Sequence, residues 1–154
     1  MSERTKMAFA ERMGDFFDRL GLPRIAGKLF GYLLICDPPE QNAVQLKEVV
    51  AASAGSVSTM LRMLQASGFV ERRSEPGGRR LWYWIAPGAF ARVLTMRMQL
   101  VSELTALAEM GLAEMKPNER GKRGKRLREM RDCYAFFDRE FPALVERYKS
   151  TMET

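Results

Sequence analysis

Ser53-Ala54-Gly55-Ser56-Val57-Ser58-Thr59-Met60-Leu61-Arg62-Met63-Leu64 is the stretch on which the reading of the whole chain turns. At helical spacing Val57, Leu61 and Leu64 share one apolar face, and Ser56, Ser58, Thr59 and Arg62 point away from it. Ser53 has the chemistry of an N-cap, and Gly68 that of a helix terminator, so a helix is expected from Ser53 to about Ser67. Small hydroxyls let a helix N-terminus come close to phosphates and base edges, and an arginine one turn later reaches guanine O6 and N7 bidentately. The alternative is a plain solvated helix face, and the neighbouring segments bear on the choice.

Upstream, Asn42-Ala43-Val44-Gln45 reads as a capping-box variant opening a short helix to about Val50, with Leu46, Val49 and Val50 as its inner face. Ala51-Ala52 makes the turn into the helix that begins at Ser53. Downstream, Phe69, Val70 and the alternating Leu81, Tyr83 and Ile85 are strand formers, and Glu75-Pro76-Gly77-Gly78 has turn chemistry, which predicts a β-hairpin with a flexible tip. Two short helices on a tight turn, followed at once by a hairpin, outline a winged helix-turn-helix. Arg72, Arg73, Arg79 and Arg80 flank the glycine turn, whose tip fits a minor groove. Arginine is equally at home on an ordinary exposed strand, so the hairpin alone does not choose between DNA and solvent.

Charge location agrees with the first reading. The net charge is +6, and residues 41–86 hold 6 basic against 3 acidic side chains, with the surplus after residue 61. A local positive field suits a polyanion. The chain has 154 residues, 46% apolar and 29% charged, which fits one soluble domain spanning 1–154. Within it, 1–41 are read as N-terminal support and dimerisation helices, 42–86 as the winged helix-turn-helix and 87–154 as C-terminal dimerisation helices. The fold class expected is therefore mainly α with a small β-hairpin.

The flanking helices carry the argument for a homodimer. An opening helix from Ser2 to Leu20 places Met7, Met13, Phe16, Phe17 and Leu20 near one face, and a more apolar one runs from Arg24 to Cys36 with Ile25, Leu29, Tyr32, Leu33 and Cys36 at helical spacing. Asp37-Pro38-Pro39 stops it. After the hairpin, a helix from Pro87 to about Met115 carries Phe90, Val93, Leu94, Val101, Leu104, Ala108, Leu112 and Met115 as a stripe. At about 43 Å it is longer than one small domain covers, so a second copy is expected on it. A last helix from Arg126 to Tyr148 repeats the device with Leu127, Met130, Tyr134, Phe137, Phe141, Leu144 and Tyr148, and Pro142 is expected to bend it.

Trp82 and Trp84 fall on the strand face opposite Leu81, Tyr83 and Ile85. They either pack on the long helix or line a pocket for an apolar or aromatic small-molecule effector at the hinge between winged region and dimer helices. Lys116 to Arg131 holds 8 basic residues against Glu119 and Glu129, loosened by Gly121 and Gly124. It reads as a solvated turn, with an anion or DNA contact as the alternative.

Other chemistries find little footing. There is no histidine, which removes the commonest general base and most zinc sites. Cys36 and Cys133 are too few for a disulfide framework and read as small buried side chains, with a redox switch as the alternative. No catalytic residue, metal or cofactor is expected. No apolar run reaches the roughly 18 residues of a membrane span, and Met1 to Arg12 lacks the core of a secretory signal, so a cytoplasmic protein is expected.

Leu46 through Ile85 resembles the multiple-antibiotic-resistance regulator (MarR) superfamily, nearest to its GbsR-type branch. The stretches that carry the resemblance are Ser-Ala-Gly-Ser-Val-Ser-x-x-Leu-Arg-x-Leu from Ser53, Gly-Phe-Val-Glu-Arg from Gly68, and Pro-Gly-Gly-Arg-Arg-Leu-Trp-Tyr from Pro76. The order of flanking helices extends it to the whole chain. The resemblance implies a dimeric regulator, a repressor in the first instance, reading double-stranded DNA at a palindromic operator with one recognition helix per half-site. By position, Ser56, Ser58, Thr59 and Arg62 match recognition-helix residues that face DNA, Arg79 matches the wing arginine and Arg80 does so more weakly. Ser53, Gly55, Arg72 and Arg73 complete the expected DNA-binding set. Ala54 departs from the pattern, since relatives often carry a basic residue there. The rival reading is a winged-helix protein-docking module that never touches DNA.

Overall fold

The computed structural model describes residues 1–116 and 121–152, and the chain divides into two units, Met1–Phe90 and Ala91–Thr154. In the first, α1 (Glu3–Arg19) is capped by Ser2, whose hydroxyl accepts from the Thr5 amide at 3.2 Å. Its inward residues are Lys6, Ala10, Gly14 and Phe17. This corrects the apolar stripe expected there. Phe17 is buried and Met13 packs at the core edge, but Phe16 and Leu20 are exposed.

The reason lies in α2 (Arg24–Leu33), which approaches α1 too closely for large side chains. A Cβ on Gly27 would stand 2.5 Å from the Met13 carbonyl oxygen, and one on Gly31 would stand 2.7 Å from Met13 Cβ and 3.2 Å from Ala10 Cα. Small residues therefore form the seam, and the backbones take the contact that side chains would otherwise make. The helix ends at Leu33, short of Cys36; the Ile35 and Cys36 amides both turn back to the Tyr32 carbonyl at 3.0 and 2.9 Å.

The capping box is formed as read. Asn42 Oδ1 accepts from the amides of Val44 (2.9 Å) and Gln45 (3.1 Å), and Gln45 Oε1 accepts from the Asn42 amide at 2.9 Å, opening α3 (Ala43–Val50). The turn into α4 (Ala54–Ala66) passes through Ala51 at φ 50°, which among the described residues is the one non-glycine with positive φ. Val57, Leu61 and Leu64 of α4 are essentially fully buried, as their spacing predicted, in one cluster with Leu29 and Leu46.

The hairpin is part of a larger sheet than expected. Three antiparallel strands, β1 (Gln41–Asn42), β2 (Glu71–Ser74) and β3 (Leu81–Trp84), lie in the order β1-β3-β2, with Asn42 and Arg73 flanking Trp82. Phe69 and Val70, expected in a strand, precede β2; Val70 is buried, and Phe69 stacks on Phe30 with ring centroids 5.0 Å apart. Ile85 lies just past β3. At the tip the Gly78 amide donates to the Glu75 carbonyl at 3.0 Å, and Gly77 holds φ +72°, where a side chain is strained.

In the second unit, α5 (Ala89–Glu114) continues from the first and α6 (Lys122–Met152) follows. Of the expected stripes, Val93 and Ala108 are buried and Val101, Leu104, Leu112, Leu127, Met130, Tyr134 and Phe141 are half-buried. Leu94, Phe137, Leu144 and Tyr148 are exposed, as are Leu100, Leu107 and Met110. The helix α6 runs on through Pro142 and starts four residues before the expected Arg126. Most of the basic segment is thus helix rather than turn, and Gly124 is a buried helical residue rather than a loosening one; Glu119 and Arg120 lie outside the described residues.

The glycine seam gives the first test. Gly27→Ala should lower the free energy of unfolding by about 1–3 kcal/mol despite alanine's better helix propensity, because the new methyl meets backbone. Gly55→Ala, whose Cβ would have no neighbour nearer than 3.9 Å, should not destabilise the fold. Denaturant midpoints of the two variants compare them, and equal behaviour would refute a close-packed seam.

Candidate nucleic-acid interface

The outward face of α4 follows from its buried one. Ser53 is the N-cap: its Oγ accepts from the Ser56 amide at 3.1 Å and donates to Ser56 Oγ at 2.9 Å. Gly55, Ser58 and Thr59 are exposed and Ser56 is half-buried, so the first turn offers hydroxyls and a bare backbone on one surface. Arg62 is exposed one turn on, its Nη2 3.3 Å from Thr59 Oγ1. That bond lays the guanidinium along the same face. A helix N-terminus with hydroxyls and an arginine in line has the donors that phosphate oxygens and guanine edges require.

Beside this face lies a groove of about 590 Å³ lined by Pro23, Arg24, Ile25, Gly55, Ser56, Thr59 and Met60. Arg24, which sequence reading passed over, donates to Asp15 Oδ1 from Nε (3.0 Å) and Nη2 (2.8 Å) and to Glu11 Oε2 at 2.8 Å. The Asp15 hydrogen bond, with the charges of Asp15 and Glu11, raises the Arg24 pKa above its ordinary value. Lys28 reaches Glu11 at 2.5 Å and the Val50 carbonyl at 3.4 Å, which satisfies an end carbonyl of α3. Neither cation left a local signal, since both partners lie on other elements.

On the wing, Arg72 and Arg73 stand on β2 and Arg79 and Arg80 precede β3, all four exposed. Among the described residues Arg72, Arg79 and Arg80 make no ion pair, whereas Arg73 is held by Glu40. The wing therefore presents three arginines outward and engages the fourth.

Trp82 and Trp84 are half-buried on the face opposite the buried Tyr83, as the alternation predicted. Trp82 lines an open cleft of about 260 Å³ with Pro38, Pro39, Glu40 and Arg73; Trp84 is not among its lining residues. Cys36 is half-buried, and burial pushes its thiol pKa up. Cys133, read as a small buried side chain, is exposed on α6, because it falls outside the inward stripe of Leu127, Met130 and Tyr134. Among the described residues there is no cluster of three or more metal-ligating side chains and no helix long and apolar enough to cross a membrane.

Residues 88–151 match a family model described as MmpR5-like MarR family transcriptional regulator. The HTH-type transcriptional regulator MmpR5 of Mycobacterium tuberculosis is 40% identical over 142 residues, which cover 92% of this chain and 86% of the relative. A crystal structure described as that of a transcriptional regulator superposes with a TM-score of 0.82 at 39% identity, covering 95% of this chain and 99% of the other. On that identity and coverage, together with the exposed helix and arginine-bearing hairpin described above, the chain belongs to the MarR family of winged-helix, DNA-binding transcriptional regulators.

Proposed function

We propose that this regulator is a cytoplasmic homodimeric repressor that inserts one α4 helix into each half of a palindromic operator and lays its wings along the flanking grooves. The carrying observation is the outward face of Ser56, Ser58, Thr59 and Arg62, with Arg72, Arg79 and Arg80 of the wing in no ion pair among the described residues. Hydroxyls and amides at the start of α4 position the helix on phosphates, Arg62 reads a base edge, and the wing arginines respond to groove shape and backbone charge. No step of this work needs an acid–base pair, a nucleophile or a metal.

Dimer formation is supported by the second unit, where Leu94, Leu100, Leu107, Met110, Phe137 and Leu144 are all about half exposed on two long helices. Apolar surface on that scale marks an interaction face. An apolar or aromatic effector beside Trp82 belongs to the same proposal, supported by the cleft there. So does the GbsR-type placement, which rests on the stretches from Ser53, Gly68 and Pro76.

Sedimentation at micromolar concentration should show one species near twice 17.6 kDa, and a folded monomer would exclude the dimer. Selection of random duplexes should return an imperfect palindrome with half-site centres about one helical turn, roughly 10 base pairs, apart or a multiple of that. On that operator Arg62→Ala should cost roughly 1–3 kcal/mol and relax preference at one base pair per half-site, with little loss on scrambled DNA. Arg79→Ala should weaken operator and scrambled duplex alike and make the salt slope shallower by about one unit per half-site. Unchanged binding in both variants would leave a protein-docking role instead. Ser53→Ala should lower stability by about 1 kcal/mol through loss of the cap, whereas Ser53→Asp should keep the cap yet bind DNA more weakly because it sets a carboxylate against phosphate.

A further inference from the structure

Arg73 differs from the other wing arginines in what it touches. Its guanidinium grips Glu40 with Nη2 2.5 Å and Nε 3.1 Å from Oε2, and Nε is also 3.3 Å from Oε1. Glu40 immediately precedes β1, and in the sheet order β1-β3-β2 the strands β1 and β2 share no hydrogen bonds. The ion pair is therefore a tie between two strands that the ladder does not join, and it crosses β3 beside Trp82, which faces Asn42 on one side and Arg73 on the other.

The two ends of the tie are held very differently. Next to Glu40, the buried Gln41 side chain donates to the Pro38 carbonyl at 2.7 Å, and Asn42 caps α3, so the carboxylate is fixed to the helix-turn-helix. By contrast β2 is a four-residue edge strand whose residues are all exposed. With no buried side chain of its own beyond the anchoring Val70 that precedes it, the strand draws its pose from the ladder with β3 and from side-chain ties, of which this ion pair reaches β1.

We propose that Arg73 is a positioning residue: paired with Glu40, it sets the pose of the wing against the helix-turn-helix and leaves DNA contact to Arg72, Arg79 and Arg80. The proposal rests on the DNA-reading role of the wing given above. Its signature is that Arg73 contributes to affinity without contributing to salt dependence, because its charge stays on Glu40 and releases no counterion from DNA.

The experiment uses the full-length protein with Arg73→Ala, Glu40→Gln and the charge-exchanged E40R/R73E double variant. Arg73→Ala and Glu40→Gln should each weaken operator binding roughly three- to fivefold, the scale of a partly exposed ion pair, with the salt slope unchanged in Arg73→Ala, where no freed cation is left behind. The double variant should recover most of the loss. Deuterium exchange of residues 71–84 in the DNA-free protein should quicken in each single variant and slow again in the double. A salt slope shallower by about one unit per half-site in Arg73→Ala, with Glu40→Gln neutral or tighter, would show that Arg73 touches phosphate and overturn the proposal; so would unaltered exchange in the single variants. Absence of DNA binding by the unsubstituted protein at any salt would instead overturn the DNA-reading function, and the exchange measurement would still decide whether the tie positions the wing.

Discussion

Burial of one face of α4 is the constraint on which the interface depends. Val57, Leu61 and Leu64 are buried to 1% exposure or less beside Leu29 and Leu46, and full burial of each such side chain contributes about 1.5–3 kcal/mol. Rotating the helix by one residue would expose this face and turn Ser58 and Arg62, or in the other sense Ser56, toward the core without partners, and burying Arg62 alone would cost several kcal/mol. The outward direction of Ser56, Ser58, Thr59 and Arg62 is therefore a by-product of core packing. Ser53 adds the second coordinate, since its cap fixes where the helix starts and hence how far along it Arg62 stands.

That face needs a rigid base, and the α1–α2 seam supplies it. At Gly27 and Gly31 the two helices meet backbone to side chain at distances that leave no room for a methyl group, so their mutual position tolerates little drift. Lys28 carries the alignment onward by bridging Glu11 of α1 and the last carbonyl of α3. Arg24, held by Glu11 and Asp15, stands where α2 meets the start of α4. The exposed Arg24 pairs contribute little to stability one by one. Their effect is directional, and the seam provides the energy.

The parts legible in the sequence are those whose cause is local. Helical spacing of Val57, Leu61 and Leu64, the Asn42–Gln45 capping box, the Ser53 cap and the glycine tip all act within four residues, and all are present. What escaped depends on distant partners. A two-residue strand at Gln41–Asn42 has no alternation to detect and exists because β3 offers its edge. The α1 seam carries no stripe of large apolar side chains to mark it, because it is made of Ala10, Gly14, Gly27 and Gly31. Gly124 and the basic residues around it looked like a loop, yet α6 already includes them: the buried glycine lies on its inward side, and a long hydrogen-bonded ladder outweighs the roughly 0.3–1 kcal/mol by which the helix dipole disfavours each cation at its N-terminus.

Charge shows the same division most sharply. A count of residues 41–86 treats Arg62, Arg72, Arg73, Arg79 and Arg80 as one basic surplus, but the structure separates them by whether a carboxylate stands within ion-pair distance. Arg73 has one, 33 positions away in sequence, as Arg24 has two on α1. A guanidinium so paired has already exchanged its counterion for a protein carboxylate, and it gains little from a phosphate unless that carboxylate is displaced. In the proposed DNA-bound state the unpaired arginines would give up the counterions they hold in the isolated protein, and they are then the residues that would couple binding to salt. Net charge states how strong the positive field is; the placement of Glu40, Glu11 and Asp15 determines which cations hold the scaffold and which remain available to DNA.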